Sequence, residues 1–451
     1  MEAGKALDRK IWAIAWPAIL SNLSIPILGL VDASILGHLP DARYLAAVAL
    51  GSAILSFLYW GFGFLRMGTT GHVARATGAN DTGAGLRVLA RSGALALGIA
   101  LCVLLLGPFW VQLALALMAP ADTLVPIARS YLTIRLLSAP AVLLTYAIVG
   151  WFIGRQNTRW PMFILLLTNV LNILLDVVFV VLLGWNSDGA AMATVVAEYC
   201  GLALGLVAVR HSAGSALSGP VLMKGLRERG GYAALWRSNR DLFVRTLSLL
   251  ACLAFFTAMG EKLGEDVVAA NALLMQFLLF AAFALDGFAY AAEGLAGSRL
   301  GAGDGAGFQR VVARCARWTA FSALAISLFI ALGEPLLLPL LSDIEPVQAV
   351  LRAAIPWLVL MPLLAAPGYL LDGVFIGAAQ TRPLMSTMLV SALCVYLPAW
   401  YLTRDWGNHG LWFALALFNL ARGLSLGWVY ARYTRTQRWI TGQSPAGPVQ
   451  E

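Results

Sequence analysis

Charge is scarce in this sequence. Asp, Glu, Lys and Arg make up 12% of its residues, and hydrophobic types make up 60%. Soluble domains carry about one charged residue in four, so a chain of 451 residues this poor in charge does not divide into two or three soluble domains. Cysteine is equally sparse. Cys102, Cys200, Cys252, Cys315 and Cys394 all fall in apolar stretches without paired spacing, which excludes a disulfide framework and a zinc site. The histidines His38, His72, His211 and His409 are scattered, and no P-loop GxxxxGKS/T motif occurs. Without an ATP site, any transport has to draw on an ion gradient, and no cofactor is implied. A leader peptide is not evident either: MEAGKALDRKIWAIAW lacks a small-residue cleavage site after its apolar run and reads as an uncleaved first span.

What the sequence has instead is long apolar runs. A membrane span needs about 20 mostly apolar residues, and twelve stretches qualify: 11–36, 45–65, 92–115, 125–150, 160–183, 190–209, 240–260, 267–293, 313–332, 353–377, 384–402 and 408–430. The fold class is therefore all-α and integral to a bilayer. Lys and Arg outnumber Asp and Glu by 31 to 23, a balance that could signal a nucleic-acid partner. With the N-terminus inside, however, 24 of the 31 basic residues fall in inside segments. Arg43, Arg129, Lys262, Arg352 and Arg404 fall outside, and Arg135 and Arg422 lie within spans. That asymmetry is the signature of membrane orientation, with both termini cytoplasmic, and it removes the nucleic-acid reading.

The sequence also repeats itself at one gapless offset of 223 residues. Ala46, Ala47, Ala49 and Leu50 match Ala269, Ala270, Ala272 and Leu273. Gly71, Gly78, Ala79 and Asp81 match Gly294, Gly301, Ala302 and Asp304. Arg87, Val88, Ala90 and Arg91 match Arg310, Val311, Ala313 and Arg314. Phe152, Ile153, Gly154, Thr158 and Arg159 match Phe375, Ile376, Gly377, Thr381 and Arg382. Six spans per half is an even number, so both halves enter from the same side and are related by a pseudo-twofold axis along the membrane normal. The expected organisation is an N-lobe over 1–209, a basic cytoplasmic linker over 210–239 and a C-lobe over 240–451, with a central cavity between the lobes. Such a shell can work as a monomer by alternating access.

Four patterns carry a family resemblance: SNLSIPILGLVDASILGHL (21–39), FLRMGTTGHVARATGA (64–79), NVLNILLDVVFV (169–180) and LDGFAYAAEGLAGSRLGAGD (285–304). Over essentially its whole length the chain resembles the multidrug and toxic compound extrusion (MATE) family, most closely the branch named for the DNA-damage-inducible protein F. The resemblance implies a cation-coupled antiporter that exports organic molecules across a bacterial-type inner membrane.

An ionisable side chain at the bilayer centre costs at least about 2.5–3.5 kcal/mol, so the acids inside the spans need a reason. They are Asp32, Asp176, Glu198, Asp286, Glu293 and Asp372. Glu293 lies at a cytoplasmic end and is expected to be solvated. Asp32 and Asp176, both in outward-running spans, come within about a helical turn of one another in depth. Asn172 precedes Asp176 by one turn on the same face, Asn169 lies one further turn away, and Thr194 in the next span reaches a similar level. Two carboxylates crowded in a poorly hydrated pocket favour holding a proton between them. The same oxygens could gather around a sodium ion. The resemblance implies that Asp32 and Asp176 bind the coupling cation, with Asn172 and Thr194 around them. Pro26 and Gly29 should kink the first span, since Pro removes a donor and Gly adds freedom. At the offset of 223, Asp32 and Asp176 map to Phe255 and Ala399, which confines the pocket to the first lobe. The second lobe instead has Asp286 and Asp372, each in an L-D-G step, with Arg422 at compatible depth, an arrangement suited to a buried structural lock or a gate.

Two transporter readings compete. An exporter of lipophilic, often cationic compounds fits the acidic lobe interiors. A flippase for lipid-linked precursors shares the architecture but should present a cationic cavity to pyrophosphate head groups. An intramembrane enzyme would need a nucleophile–base pair or a metal cluster at shared depth, and the spans offer neither.

Overall fold

The computed structural model describes residues 2–39 and 41–441. Within them the regular structure is entirely helical, as expected where no water is available to satisfy backbone groups. The helices are α1 (Glu2–Gly37), α2 (Ala42–Gly61), α3 (Phe64–Gly78), α4 (Thr82–Leu105), α5 (Gly107–Met118), α6 (Val125–Leu136), α7 (Ala139–Gly154), α8 (Arg159–Asp176), α9 (Asn186–Ala213), α10 (Gly219–Arg227), α11 (Arg229–Glu261), α12 (Glu265–Gly301), α13 (Gly305–Leu341), α14 (Glu345–Gly377), α15 (Thr381–Val390), α16 (Leu397–Thr403), α17 (Asn408–Arg435) and α18 (Arg438–Thr441). A π-helical stretch, Val177–Leu182, continues α8, and another, Ser391–Tyr396, joins α15 to α16.

Among the described residues eleven helical segments are long and apolar enough to cross a bilayer, and a twelfth span forms if α6 and α7 are taken together. That pair is bent by 47° at Leu137–Ser138, where Pro140 at the start of α7 supplies no backbone donor. The third span differs from the expected 92–115. It is α4, and the Gly107-Pro108 step ends it and starts the separate apolar helix α5. The 210–239 segment contains a helix of its own, α10, pinned to α4 by Arg91, whose Nε donates to the Gly225 carbonyl at 3.0 Å. Leu332, Leu336 and Leu340 on α13 are 81%, 77% and 77% exposed. At about 1.5–3 kcal/mol per leucine side chain left in water, such a stripe is tenable only against lipid.

The contacts group the chain into two compact units. One comprises Leu20–Val73 and Asp81–Asn239, and the other residues 2–19, 74–80 and 240–441. The first unit packs Leu86, Trp151, Phe152, Ile164 and Leu202 into its core. The second buries Phe256, Leu274, Tyr396, Trp412 and Phe418, with the Trp412 indole donating to Asn271 Oδ1 at 2.9 Å.

The internal repeat is visible in packing detail. Asp81 caps α4 by accepting from Ala84 N at 2.7 Å, and its counterpart Asp304 caps α13 from Gly307 N at the same distance. Small residues let helix backbones meet closely in membranes. A Cβ on Gly150 would lie 2.4 Å from the Arg66 carbonyl oxygen, and one on Gly373 would lie 2.4 Å from that of Ala289. Both residues of each contact are related by the offset of 223. Glu293, expected to be solvated, is 1% exposed. Helix α12 runs on to Gly301, so Glu293 sits two turns inside it, where its carbonyl lies against Gly377 of α14.

Candidate cation site

Asp32, Asn172, Asp176 and Thr194 come together in the first unit. Asp32 enters from α1 and is half-buried, and its carboxyl lies within hydrogen-bonding reach of Asp176. Asp176 is the last residue of α8 before the π-helical stretch and is 2% exposed. A π-helical turn widens the ring and redirects side chains, and such turns concentrate at functional sites. Asn172, fully buried, lies between the acids. Its orientation follows from the surrounding partners. With Nδ2 toward the acids it donates to Asp176 Oδ2 at 3.2 Å and to Asp32 Oδ1 at 3.3 Å. Its Oδ1 then accepts from Thr194 N at 3.1 Å and lies 2.9 Å from Thr194 Oγ1. The opposite orientation would face an amide oxygen to two carboxylates. Asn169 is buried one turn away and donates to Ser24 Oγ of α1 at 2.8 Å, tying α8 to α1 just before Pro26. Helix α1 remains helical through Pro26 and Gly29.

Asp176 Oδ1 is buried and faces no donor group. An acceptor left so costs about 1–3 kcal/mol or more for a charged group. A proton on one of the two carboxyls lowers that cost by removing one of the two negative charges. Among the described residues no group of three or more His, Cys, Asp or Glu side chains is disposed to hold a metal ion. The amide orientation and the charge held between the carboxylates go together: Nδ2 faces them when a proton is held there, and the opposite orientation, with Nδ2 donating to Thr194 Oγ1 at 2.9 Å, would turn the amide oxygen toward them as a ligand for a hard cation.

Charges outside the expected set complete the first unit. Arg135, 8% exposed, makes a two-pronged bond to Glu198, Nη1 to Oε2 at 2.9 Å and Nη2 to Oε1 at 3.3 Å. Sequence reasoning placed both residues inside spans without pairing them, although opposite charges in two spans of the same lobe were the available signal.

In the second unit Asp372 and Arg422 meet as expected, Arg422 Nη2 donating to Asp372 Oδ2 at 2.8 Å. The same oxygen also accepts from Arg245, which the loop-charge reading had assigned to the cytoplasmic side. Arg245 is 8% exposed within α11, and the apolar residues around it, Leu242 to Leu247, were the signal. Asp286 joins through electrostatic contact with Tyr369, which also feels Asp372 and both arginines. The glycines of the two L-D-G steps serve packing: a Cβ on Gly287 would meet the Ala15 carbonyl at 2.8 Å, and one on Gly373 would meet that of Ala289.

The pentapeptide GLSLG at Gly423–Gly427 has the GxSxG form, but it lies inside α17. The hydrolase motif needs a strand-to-helix turn, and here Ser425 Oγ donates to the Arg422 carbonyl at 3.2 Å.

Comparison with known proteins adds three findings. The MatE family model matches twice, over residues 17–178 and 242–402, once in each half of the repeat. The chain is 40% identical over 435 residues to the DNA damage-inducible protein F of Escherichia coli strain K12, covering 96% of this chain and 94% of that protein. It is 25% identical to Protein DETOXIFICATION 44, chloroplastic, of Arabidopsis thaliana, with 96% and 84% covered. In three dimensions it superposes on the crystal structure of a mutant of the Vibrio cholerae MATE transporter VcmN with a TM-score of 0.87, at 23% identity and covering 98% and 100% of the two chains.

Proposed function

This chain belongs to the MatE family and is a multi-pass membrane protein, a secondary active efflux transporter and not an enzyme; from that premise we propose that it exchanges protons for lipophilic, often cationic organic compounds, with Asp32 and Asp176 as the proton switch. The observation that carries the reading is the Asn172 amide nitrogen bridging the half-buried Asp32 and the buried Asp176 while Asp176 Oδ1 has no hydrogen-bond donor from the protein. A proton lowers the negative charge there directly, and a cation would first require the amide to turn. Loss of the proton leaves two negative charges in a poorly hydrated place, a state that needs either a new proton or a cationic ligand. This reciprocal demand couples export to proton entry. Pro26 and Gly29, one to two turns before Asp32, are the hinge through which the charge state would alter the course of α1. Both termini lie in the cytoplasm of a cell whose inner membrane carries the protein, in accord with the distribution of Lys and Arg.

The flippase reading is weaker. A pyrophosphate head group would call for free buried guanidinium groups, and Arg135, Arg245 and Arg422 are bonded to Glu198 and Asp372.

The test is efflux of a fluorescent cation from proteoliposomes under an imposed pH gradient or an imposed sodium gradient, for the parent and Asp32→Asn. The proton reading expects efflux under the pH gradient alone and its loss in Asp32→Asn. Sodium-driven efflux would keep the site and change the ion, and no efflux under either gradient would bring the flippase forward.

A further inference from the structure

The Arg135–Glu198 pair lies beside the 47° bend between α6 and α7. At the break the Arg135 carbonyl accepts from Ser138 N at 3.2 Å, from Ser138 Oγ at 2.7 Å and from the Tyr59 hydroxyl at 3.4 Å. Arg135 Nη1 in turn donates to Ser138 Oγ at 2.8 Å. The guanidinium is thus held by Ser138 at the bend and by Glu198 of α9, while Tyr59 of α2 holds the Arg135 backbone. Glu198 lies four residues after Thr194 on α9, so the two share a helix face one turn apart. Thr194 is the partner of Asn172, and Asn172 bonds both acids. Through Glu198, Thr194 and Asn172 the Arg135 guanidinium is thereby placed in the same part of the unit as Asp32, close enough for its positive charge to be felt there. The charged and titratable groups around Asp32 are therefore Asp176 from α8, Arg135 from α6 and, behind Arg135, Glu198 from α9, with Tyr59 of α2 and Tyr131 of α6 beside the guanidinium.

A buried ion pair costs desolvation that its attraction rarely repays, so hydrophobic residues would serve packing alone as well. Its placement suggests another use. We infer that Arg135 and Glu198 are positioning residues that set the pH at which the Asp32/Asp176 pair releases its proton: Arg135 supplies the positive charge that steadies the ionised pair, and Glu198 limits how much of that charge the pair feels. This rests on the proton-switch reading above and adds the groups that tune it.

The experiment titrates the purified protein in detergent by infrared absorption of the protonated carboxyl group, following the band that Asp32→Asn abolishes. Glu198→Gln unmasks Arg135 and should lower the midpoint by about one pH unit; Arg135→Gln removes the positive charge and should raise it by about as much. Arg135→Lys should stay near the parent. A purely structural role would lower stability in both variants without moving the midpoints in opposite directions. Should Arg135→Gln fail to fold, Glu198→Gln alone decides, since an unchanged or raised midpoint overturns the inference. If the parent shows no titrating band that depends on Asp32, the proton switch itself falls and this inference with it. If the band is present but the variants share the parent midpoint, only the role of Arg135 and Glu198 falls.

Discussion

Gly78 and Gly301, related by the internal repeat, make reciprocal contacts: a Cβ on Gly78 would lie 1.8 Å from the Ser298 carbonyl oxygen, and one on Gly301 would lie 2.0 Å from that of Arg75. Arg75 and Ser298 are themselves separated by the same 223 residues. The obstacle in each case is backbone, so it cannot swing aside. Gly78→Ala and Gly301→Ala should therefore each destabilise the protein by about 1–3 kcal/mol, and by similar amounts. Thermal unfolding in detergent checks this, and a silent variant would mean that the close approach is not maintained in the membrane protein as purified.

Asn172 offers a second test, independent of the acids. Asn172→Leu keeps the volume but removes the donor to both carboxylates. Proton-driven efflux should fall at least tenfold, because the ionised pair loses its one bridging hydrogen-bond donor, worth about 1.5–3 kcal/mol to a charged partner. Folding, read by size-exclusion profile, should survive. Full efflux in this variant would remove Asn172 from the site.

Asp372 accepts from two buried arginines. Asp372→Asn leaves both guanidinium groups without their counter-ion and should cost about 3–5 kcal/mol of stability. Asp286→Asn should cost less, since Asp286 is half-buried and faces Tyr369. Equal losses in a thermal-shift measurement would contradict this ranking.

Asp304 lies between α12 and α13, and its bond from Gly307 N, aided by Arg299, holds its carboxyl below the usual carboxylate range. A carboxylate depressed by folding stabilises the native state above its unfolded pKa, and that contribution disappears as pH falls through the folded value. The cap is worth about 1 kcal/mol at neutral pH. Asp304→Ala should thus unfold earlier than the parent at pH 7, and the gap should narrow steadily as the pH falls below about 4. A gap independent of pH would assign the effect to packing.

Orientation can be read by labelling. A cysteine at Asn80, in the turn between α3 and α4, should react with an impermeant maleimide only from the cytoplasmic side. One at Asp122, between α5 and α6, should react only from outside. The reverse pattern would invert the topology.

Much of the architecture was legible beforehand. Spans could be counted because a bilayer demands about 20 apolar residues whatever surrounds them, and the repeat could be seen because Asp81 and Asp304 perform the same capping task. The third span was misplaced because apolarity does not mark where α4 gives way to α5; the Gly107-Pro108 step does. Asp32, Asn172, Asp176 and Thr194 were legible because intramembrane polar residues are costly and rare. Arg245 and Glu293 were misread because loop-charge counting treats any ionisable residue near a span end as solvated, whereas long helices carry such residues back among their neighbours.

The sequence alone determined that this is an all-helical membrane protein of two related halves, since hydropathy, spacing and the offset of 223 residues are read along the chain. The tertiary structure alone decided which charges are partners. Asp372 with two arginines, Arg135 with Glu198, and Asn172 between Asp32 and Asp176 are pairings between distant helices. They depend on helix rotation, on a 47° bend and on a π-helical turn, and although Pro140 marks where the bend falls, which side chains then meet is set by packing across the bundle.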